Sequence, residues 1–347
     1  MANQLSNLLQ KLALIFLIII ALYFAKNFLV PLCFGGILAM VFLPLCNWLQ
    51  SKKVSKGLSV LICLTLLLII ISVLLLIIGL KVSELLAGFN VIKQKSIEFI
   101  NQVQKYIFNN LDISFKEQSQ IIEKEQPSYS DVFQVVLSSL ISVLSGTILV
   151  LIYFTFLLYY RSHIKNFFFK LGNPSQRDEI EFIIHNATKI SQKYLFGLTK
   201  MIMLLWIMYA IGFSSIGLEN ALFFAIFCGM LEVVPYVGNI TGTTITVLIA
   251  FVQGANPPLL IGILIVYAIV QLIQGWLLEP LILGPEVKIN PLFTIIALVI
   301  GQLLWGIPGI ILAIPLLAIL KIIFDNVESL KPYGFLIGEI ETSKKNK

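Results

Sequence analysis

Six long runs without a single charged residue constrain what this chain can fold into. In chain order they contain 25, 24, 29, 18, 46 and 32 residues. They cover residues 27–51, 57–80, 132–160, 201–218, 233–278 and 289–320. A helix needs about 20 apolar residues to cross a bilayer, so each of the first four runs fits one span. The fifth run must double back, and the sixth is too long for one span and short for two.

The overall composition points to the membrane as well. Hydrophobic residues make up 58% of the 347 residues and charged residues only 12%, about half the charged share of a soluble domain. A surface this apolar would aggregate in water. A shorter apolar stretch, 12–25, continues into the next run without a cleavage motif, so we interpret it as a retained first span. The sequence therefore predicts an all-α, polytopic transmembrane protein.

The charged residues divide the chain into six regions. Residues 1–80 are predicted to form three transmembrane helices, 81–131 an extramembrane amphipathic helical insertion, 132–160 a fourth transmembrane helix, 161–200 a cytoplasmic loop with an interfacial amphipathic helix, 201–325 a transport-site region of broken helices and hairpins, and 326–347 a cytoplasmic tail. The insertion fits a helical hairpin that covers the membrane domain and an oligomer contact equally well.

The basic residues predict how the chain is oriented. Between Arg161 and Lys200 there are seven basic and three acidic residues. Because cytoplasmic loops carry an excess of basic residues, this loop, the loop at 52–56 and the lysine-rich tail are expected to be cytoplasmic, as are both termini. We assign the net charge of +6 to these loops and not to nucleic-acid binding, because the lysines are dispersed.

The chain lacks the familiar motifs of enzymes and cofactor sites. It contains no P-loop, no H-E-x-x-H and no G-x-S-x-G. Their absence argues against ATP-driven transport by this chain alone and against an intramembrane hydrolase. The four cysteines lie inside apolar runs without the spacing of metal ligands. We therefore predict no catalytic residue, no metal site and no cofactor.

Two apolar regions near the C-terminus are interrupted by helix-breaking residues. Residues 220–251 form two short arms around a tip at 232–239, and residues 291–324 form two arms around a tip at 304–309. Backbone groups freed at membrane depth must face protein or water, so paired breaks of this kind predict a transport cavity. The residues assigned to this path in the two hairpins are Pro235, Tyr236, Gly238, Asn239, Gln302, Gly306, Pro308 and Gly309.

A few polar side chains are predicted at membrane depth. Glu232 is the only charged residue between Glu219 and Glu279. Intramembrane carboxylates usually face a cavity or a partner, so Glu232 is a candidate for proton or cation coupling; the alternative is a solvated position near the inner interface. Gln271 and Gln274 share a helix face, and Glu279 follows one turn later. These three line the path or hold helices together, and the sequence leaves both interpretations open.

The C-terminal half carries a series of Pro, Gly and acidic motifs. The series is Pro235-Tyr236-Val237-Gly238, Gly242, Glu279-Pro280, Gly284, Val287, Pro291, Gly301, Gly306, Gly309 and Ala313-Ile314-Pro315. Together with the order of spans and insertions along nearly the whole chain, it resembles the autoinducer-2 exporter family of bacterial membrane proteins. The chain departs from the family at Asn290, where members often carry His, and at Leu198, where they often carry Gln. Asn290 remains a candidate path residue, but without a proton-carrying role.

The resemblance implies a homo-oligomeric protein of the bacterial inner membrane with about eight membrane segments, the two hairpins included. Members of the family are linked to export of the quorum signal autoinducer-2, and others to sodium/proton antiport. The predicted function is a secondary transporter or exporter of a small molecule or ion, such as autoinducer-2, coupled to H⁺ or Na⁺. The alternatives are a passive channel or lipid-handling scaffold and, with less support, an intramembrane enzyme. The expected partners are membrane lipids and the transported solute.

Overall fold

The computed structural model describes residues 2–87, 108, 129–171, 177–234, 237–283 and 289–339. The α-helices are α1 Ala2–Phe24, α2 Lys26–Ser51, α3 Lys56–Ala87, α4 Tyr129–Leu171, α5 Arg177–Ser215, α6 Ala221–Leu231, α7 Val237–Val252, α8 Pro257–Ile273, α9 Pro291–Trp305, α10 Ile307–Asn326 and α11 Lys331–Ile337. A π-helical segment, Gln274–Leu283, continues α8, and a 3-10 turn, Glu328–Leu330, precedes α11. Most of the predicted extramembrane insertion lies outside the described residues.

Six helices in the described part of the chain contain segments long and apolar enough to cross a membrane. These segments are Lys26–Ser51, Lys56–Val73, Ser145–Leu171, Arg177–Ser215, Pro257–Glu279 and Ile307–Asn326. Large apolar side chains are exposed along them, as at Leu61, Ile207 and Leu264. An exposed apolar surface of this extent is expected where the surrounding medium is lipid. The predicted fold class, a polytopic helical membrane protein, is confirmed.

Helices α2, α3 and α4 pack together in the N-terminal half. Gly35 allows α2 and α4 to touch, because a Cβ at this position would lie 2.9 Å from the backbone nitrogen of Phe154. Towards the end of the apolar part of α4, the Arg161 guanidinium donates hydrogen bonds to Asn47 Oδ1 at 3.0 Å and to Gln50 Oε1 at 2.8 Å. Hydrogen bonds from a charged donor are stronger than neutral ones, so this contact ties α4 firmly to α2.

Helix α5 is continuous over 39 residues. The sequence suggested an interfacial helix followed by a separate span, whereas the structure joins the two, and no proline lies between 177 and 215 to interrupt the helix. The predicted amphipathic stripe is present: Ala187 and Tyr194 are buried, while Lys189 is exposed. The buried face packs on protein, since Ile190 lies against a cluster that includes Ala318 on α10. On another face of α5, Gln192 donates to the carbonyl of Met40 on α2 at 2.7 Å.

Helices α6 and α7 form the first predicted hairpin, hereafter the first hairpin. They contain 11 and 16 residues, too few for either to cross a bilayer. Glycines bring the two arms together. A Cβ at Gly242 would lie 3.2 Å from Cys228 Cα, and one at Gly238 would collide with the backbone of Leu231. The hairpin packs on α5 through a core that includes the fully buried Phe224.

Helices α9 and α10 form the second predicted hairpin, hereafter the second hairpin. Gly306 makes the turn with φ +68° and ψ −145°, a conformation that glycine alone adopts readily. A Cβ on Gly301 would lie only 2.5 Å from the carbonyl oxygen of Gly309, so the arms are in backbone contact. Trp305 Nε1 donates to the carbonyl of Leu22 on α1 at 3.0 Å. At 20 residues, α10 is longer than the arm of about 15 expected from the sequence and is long enough to span.

Candidate functional site

A buried carboxylate lies at the break in the first hairpin. Glu232 directly follows α6, and its side chain is only 3% exposed. Gln274 Nε2 donates a hydrogen bond to one carboxylate oxygen, Oε1, at 2.7 Å. The other oxygen, Oε2, is buried and has no hydrogen-bond partner among the described residues. Glu232 is therefore enclosed by protein and does not have the solvated position that the sequence left open.

Side-chain amides extend this hydrogen bond into a chain. Gln271 Nε2 donates to Gln274 Oε1 at 3.1 Å and lies 3.3 Å from the hydroxyl oxygen of Tyr209, which accepts from it. Asn239 Nδ2, in the first turn of α7, donates to Gln271 Oε1 at 2.6 Å. The chain runs from Asn239 through both glutamines to Glu232 and joins α5, the first hairpin and α8. The amides therefore hold helices together, one of the two roles weighed from the sequence.

A cavity of about 420 Å³ lies beside this hydrogen-bond chain. Its lining residues are Glu232, Asn239, Ala268, Gln271, Leu272, Gln274, Gly275, Trp276 and Glu279. Two carboxylates belong to this set, and no lysine, arginine or histidine among the described residues does. Leu272 is 59% exposed and Trp276 86% exposed. The cavity thus reaches the outer surface of the helical bundle at an apolar edge.

The π-helical segment brings the second carboxylate to the cavity. A π-helix closes its hydrogen-bonded turns every five residues, and Glu279 lies five residues after Gln274. In an α-helix, residues on one face are three or four apart, so this spacing would turn the two side chains away from each other. Short π-helical stretches within α-helices are frequent at functional sites. The change of helix type after α8 therefore contributes directly to the site.

The predicted path residues of the second hairpin do not line this cavity, as far as the described residues define it. Asn290 caps α9, its Oδ1 accepting a backbone N–H two residues on at 2.9 Å. Gln302 is exposed, Gly306 forms the turn, Pro308 lies in the first turn of α10, and Gly309 contacts α9. Among the described residues each hairpin packs on α5 and only the first contributes to this cavity, so a site shared by both hairpins stays a prediction.

The predicted residues of the first hairpin are only partly accounted for. Pro235 and Tyr236 lie outside the described residues, and Gly238 serves the close approach to α6. Sequence reasoning missed Tyr209 and Trp276. Tyr209 lies in an otherwise apolar stretch, and its hydroxyl was the only signal that could have singled it out. Nothing in the local sequence places the Trp276 ring at a cavity mouth, since that depends on the π-helical segment.

The fold and the site together define a class of protein. Several helices are able to cross a membrane, broken helices interrupt the membrane region, and a polar cavity with a buried carboxylate lies at one of the breaks. Broken helices around a binding site are characteristic of membrane transporters. The structure is therefore that of a polytopic membrane transporter.

Comparison with known proteins identifies the family. Residues 12–329 match the model of the AI-2E family transporters, and the chain belongs to this family. It is 25% identical over 321 residues to "Putative transport protein YueF" of Bacillus subtilis (strain 168), covering 88% of this chain and 85% of that protein. It is 22% identical over 338 residues to "Putative transport protein YhhT" of Escherichia coli (strain K12), covering 96% and 94%. The resemblance noted from the sequence is confirmed.

Proposed function

We propose that this protein is a secondary transporter that moves a small molecule or ion in exchange for H⁺ or Na⁺. In this proposal the cavity beside Glu232 is the binding site, and Glu232 carries the coupling ion. The observation that carries the proposal is Glu232: the residue lines the cavity, and its Oε2 is buried and has no hydrogen-bond partner among the described residues. Its neighbour Oε1 is held in place by Gln274.

A carboxylate in this position favours binding of a proton or a cation. Burying an ionised carboxylate without full compensation costs several kcal/mol in a real protein, and buried polar atoms are almost always paired. A proton or a cation on Oε2 would remove that penalty. Release of the ion would restore it, so occupancy of the site would bias the conformation of the hairpin. Coupling between ion and solute follows if both use the same cavity.

The cellular setting is also part of the proposal. We place the protein in the bacterial inner membrane with both termini in the cytoplasm, because the basic residues concentrate in the loops that would then be cytoplasmic. Export is the proposed direction, with autoinducer-2 as one candidate solute, and the chain is proposed to act as a homo-oligomer. These features rest on the charge pattern and on the resemblance to exporters of this family.

Flux measurements in proteoliposomes test the proposal. Uptake of radiolabelled Na⁺ and of autoinducer-2 is followed with an imposed pH gradient, with an imposed Na⁺ gradient, and with both collapsed. We expect uptake of at least one solute to rise with a gradient, and Glu232→Gln to reduce it to the level of protein-free liposomes. Glu219→Gln, at an exposed carboxylate just before the first hairpin, is the matched control and should retain wild-type flux.

Two results would contradict the proposal. Flux that is saturable but unchanged when both gradients are collapsed would remove ion coupling and leave a passive channel or facilitator. A gradient response that survives in Glu232→Gln would assign the coupling to another group. The amount and thermal stability of each variant after reconstitution are measured in parallel, so that loss of folded protein is not taken for loss of coupling.

A further inference from the structure

We propose that the cavity beside Glu232 binds a small organic cation with an apolar body. This inference rests on the proposed transport function and specifies the solute class of the same site; it takes the place of autoinducer-2, which is not a cation, as the candidate solute for this cavity. It depends on three properties of the described cavity: the sign of its charge, the hydrogen-bonding groups left available to a ligand, and the apolar edge where it reaches the surface.

The charge of the lining favours a cation. Glu232 and Glu279 both contribute carboxylates, and none of the described lining residues is basic. At the effective dielectric near a protein surface, opposite charges in contact attract strongly, and like charges repel to a similar extent. None of the described lining residues would offset this repulsion for an anionic solute, whereas a cationic solute would gain the attraction.

The available hydrogen-bonding groups point the same way. The amides of Asn239, Gln271 and Gln274 each donate at least one hydrogen bond to one another or to Glu232. Glu232 Oε2, by contrast, is an acceptor without a partner among the described residues. A ligand that completes the site must therefore bring a donor or a positive charge to this oxygen. An ammonium group supplies the positive charge, and one that carries N–H bonds supplies hydrogen-bond donors as well.

The apolar part of the lining favours an organic ligand over an inorganic ion. Ala268, Leu272 and Trp276 form one side of the cavity, whose volume of about 420 Å³ is many times the roughly 30 Å³ that one water occupies in the liquid. Volumes of this order are typical of sites for small organic ligands. The largely exposed Trp276 ring at the edge offers a face for a cation. A solute with an apolar body would also bury surface against Leu272 and Trp276, which a metal ion would not.

Direct binding to the full-length protein in lipid nanodiscs tests the inference without requiring transport. Three probes of similar size are compared by isothermal titration: benzyltrimethylammonium, neutral benzyl alcohol and anionic benzenesulfonate. We expect saturable binding of the cation at least about tenfold tighter than of the other two. Glu232→Gln should weaken cation binding by about tenfold or more, because it removes the charge and keeps the side-chain shape. Glu219→Gln should bind as the wild type does.

A second variant protects the test against a folding defect in Glu232→Gln. Trp276→Leu alters a side chain that is 86% exposed and should leave the fold intact. We expect it to weaken cation binding by roughly two- to fivefold and to leave benzyl alcohol nearly unaffected, because the cation–π contribution is lost. Binding of benzenesulfonate or benzyl alcohol as tight as that of the cation would overturn the inference. Cation binding unchanged in folded Glu232→Gln would do the same.

The outcomes also separate this inference from the transport proposal. Gradient-driven Na⁺ flux in proteoliposomes together with no cation binding in nanodiscs would refute the organic cation and leave ion-coupled transport in place. Charge-selective cation binding together with flux that ignores both gradients would refute ion coupling and leave the binding site in place.

Discussion

The backbone contact inside the second hairpin can be tested by a single methyl group. Gly301 on α9 faces Gly309 on α10, and a Cβ added at Gly301 would lie 2.5 Å from the Gly309 carbonyl oxygen and 2.8 Å from its carbon. Ordinary contacts between such atoms begin near 3.5 Å. Gly301→Ala therefore requires the two arms to separate by about 1 Å, and the obstacle is backbone, which cannot rotate away as a side chain can.

The expected size of the effect follows from two opposing contributions. Extra methylenes in a well-packed core cost about 1–3 kcal/mol, and replacing Gly by Ala inside a helix gains roughly 0.5–1 kcal/mol. Gly262→Ala is the matched control, because Gly262 lies within α8 and its added Cβ would meet Ile216 at an ordinary 3.4 Å. Gly262→Ala gains the same helix propensity without the steric clash. The difference in unfolding free energy between the two variants therefore isolates the packing cost at Gly301.

Thermal stability of the detergent-solubilised protein gives the readout. A packing cost near 2 kcal/mol corresponds to a Tm about 3 °C lower in Gly301→Ala than in Gly262→Ala for a chain of this length. Size-exclusion chromatography after heating, followed by tryptophan fluorescence, measures this difference at low protein consumption. If Gly301→Ala melts at or above the temperature of Gly262→Ala, the two arms are not in backbone contact and the second hairpin is packed differently.

Three further predictions concern other parts of the molecule, each measured as a Tm in the same assay. Gln274→Leu removes the 2.7 Å hydrogen bond to buried Glu232 and should lower the free energy of unfolding by about 1.5–3 kcal/mol. The destabilisation by Gln274→Leu should be smaller in a Glu232→Gln background than in the wild type. Equal destabilisation in both backgrounds would contradict the contact. Arg161→Met should lower the Tm clearly, because it breaks two charge-assisted hydrogen bonds to α2. Lys165→Met breaks an exposed ion pair and should change stability by less than about 1 kcal/mol. Equal changes in Tm for the two variants would refute the stronger role given to Arg161. Gly306→Ala should cost about 1–3 kcal/mol because of the turn conformation, and an unchanged Tm would refute that conformation.

The site shows how a hairpin that is too short to span can still shape a membrane protein. Helix α6 stops after 11 residues, and the break leaves Glu232 buried in contact with Gln274, which directly follows α8. There the Gln274 amide donates a hydrogen bond to Glu232, and the Gln271 amide donates one to Gln274. The result is a cavity lined partly by polar side chains in an otherwise apolar region, and in our proposal the charge of Glu232 governs what it binds. This is why Glu232→Gln, which keeps the shape and removes the charge, is the most informative substitution.

The sequence by itself determined the membrane class and the places near the C-terminus where the helices break. Uncharged runs of helix-spanning length have one stable solution in lipid, because each backbone N–H and C=O must be paired within the segment. Glycine and proline clusters mark where that pairing stops, and both hairpins lie where the clusters predicted. Glu232 could be identified from the sequence as well, because a single charged residue within a long apolar stretch costs free energy to bury and usually has a function. These are local requirements that the order of residues expresses directly.

Only the tertiary structure decided which of the polar residues meet. Asn239 and Gln271 are 32 residues apart, and Glu232 and Gln274 are 42 apart. Their contact depends on how tightly glycines let α6 and α7 approach, and on a switch to π-helix that turns Glu279 towards the cavity. The same packing leaves Asn290 and Gln302 away from it, although their sequence context looked equivalent. Local patterns specify where a helix breaks, but which side chains face each other across helices is fixed by the distances and rotations between those helices.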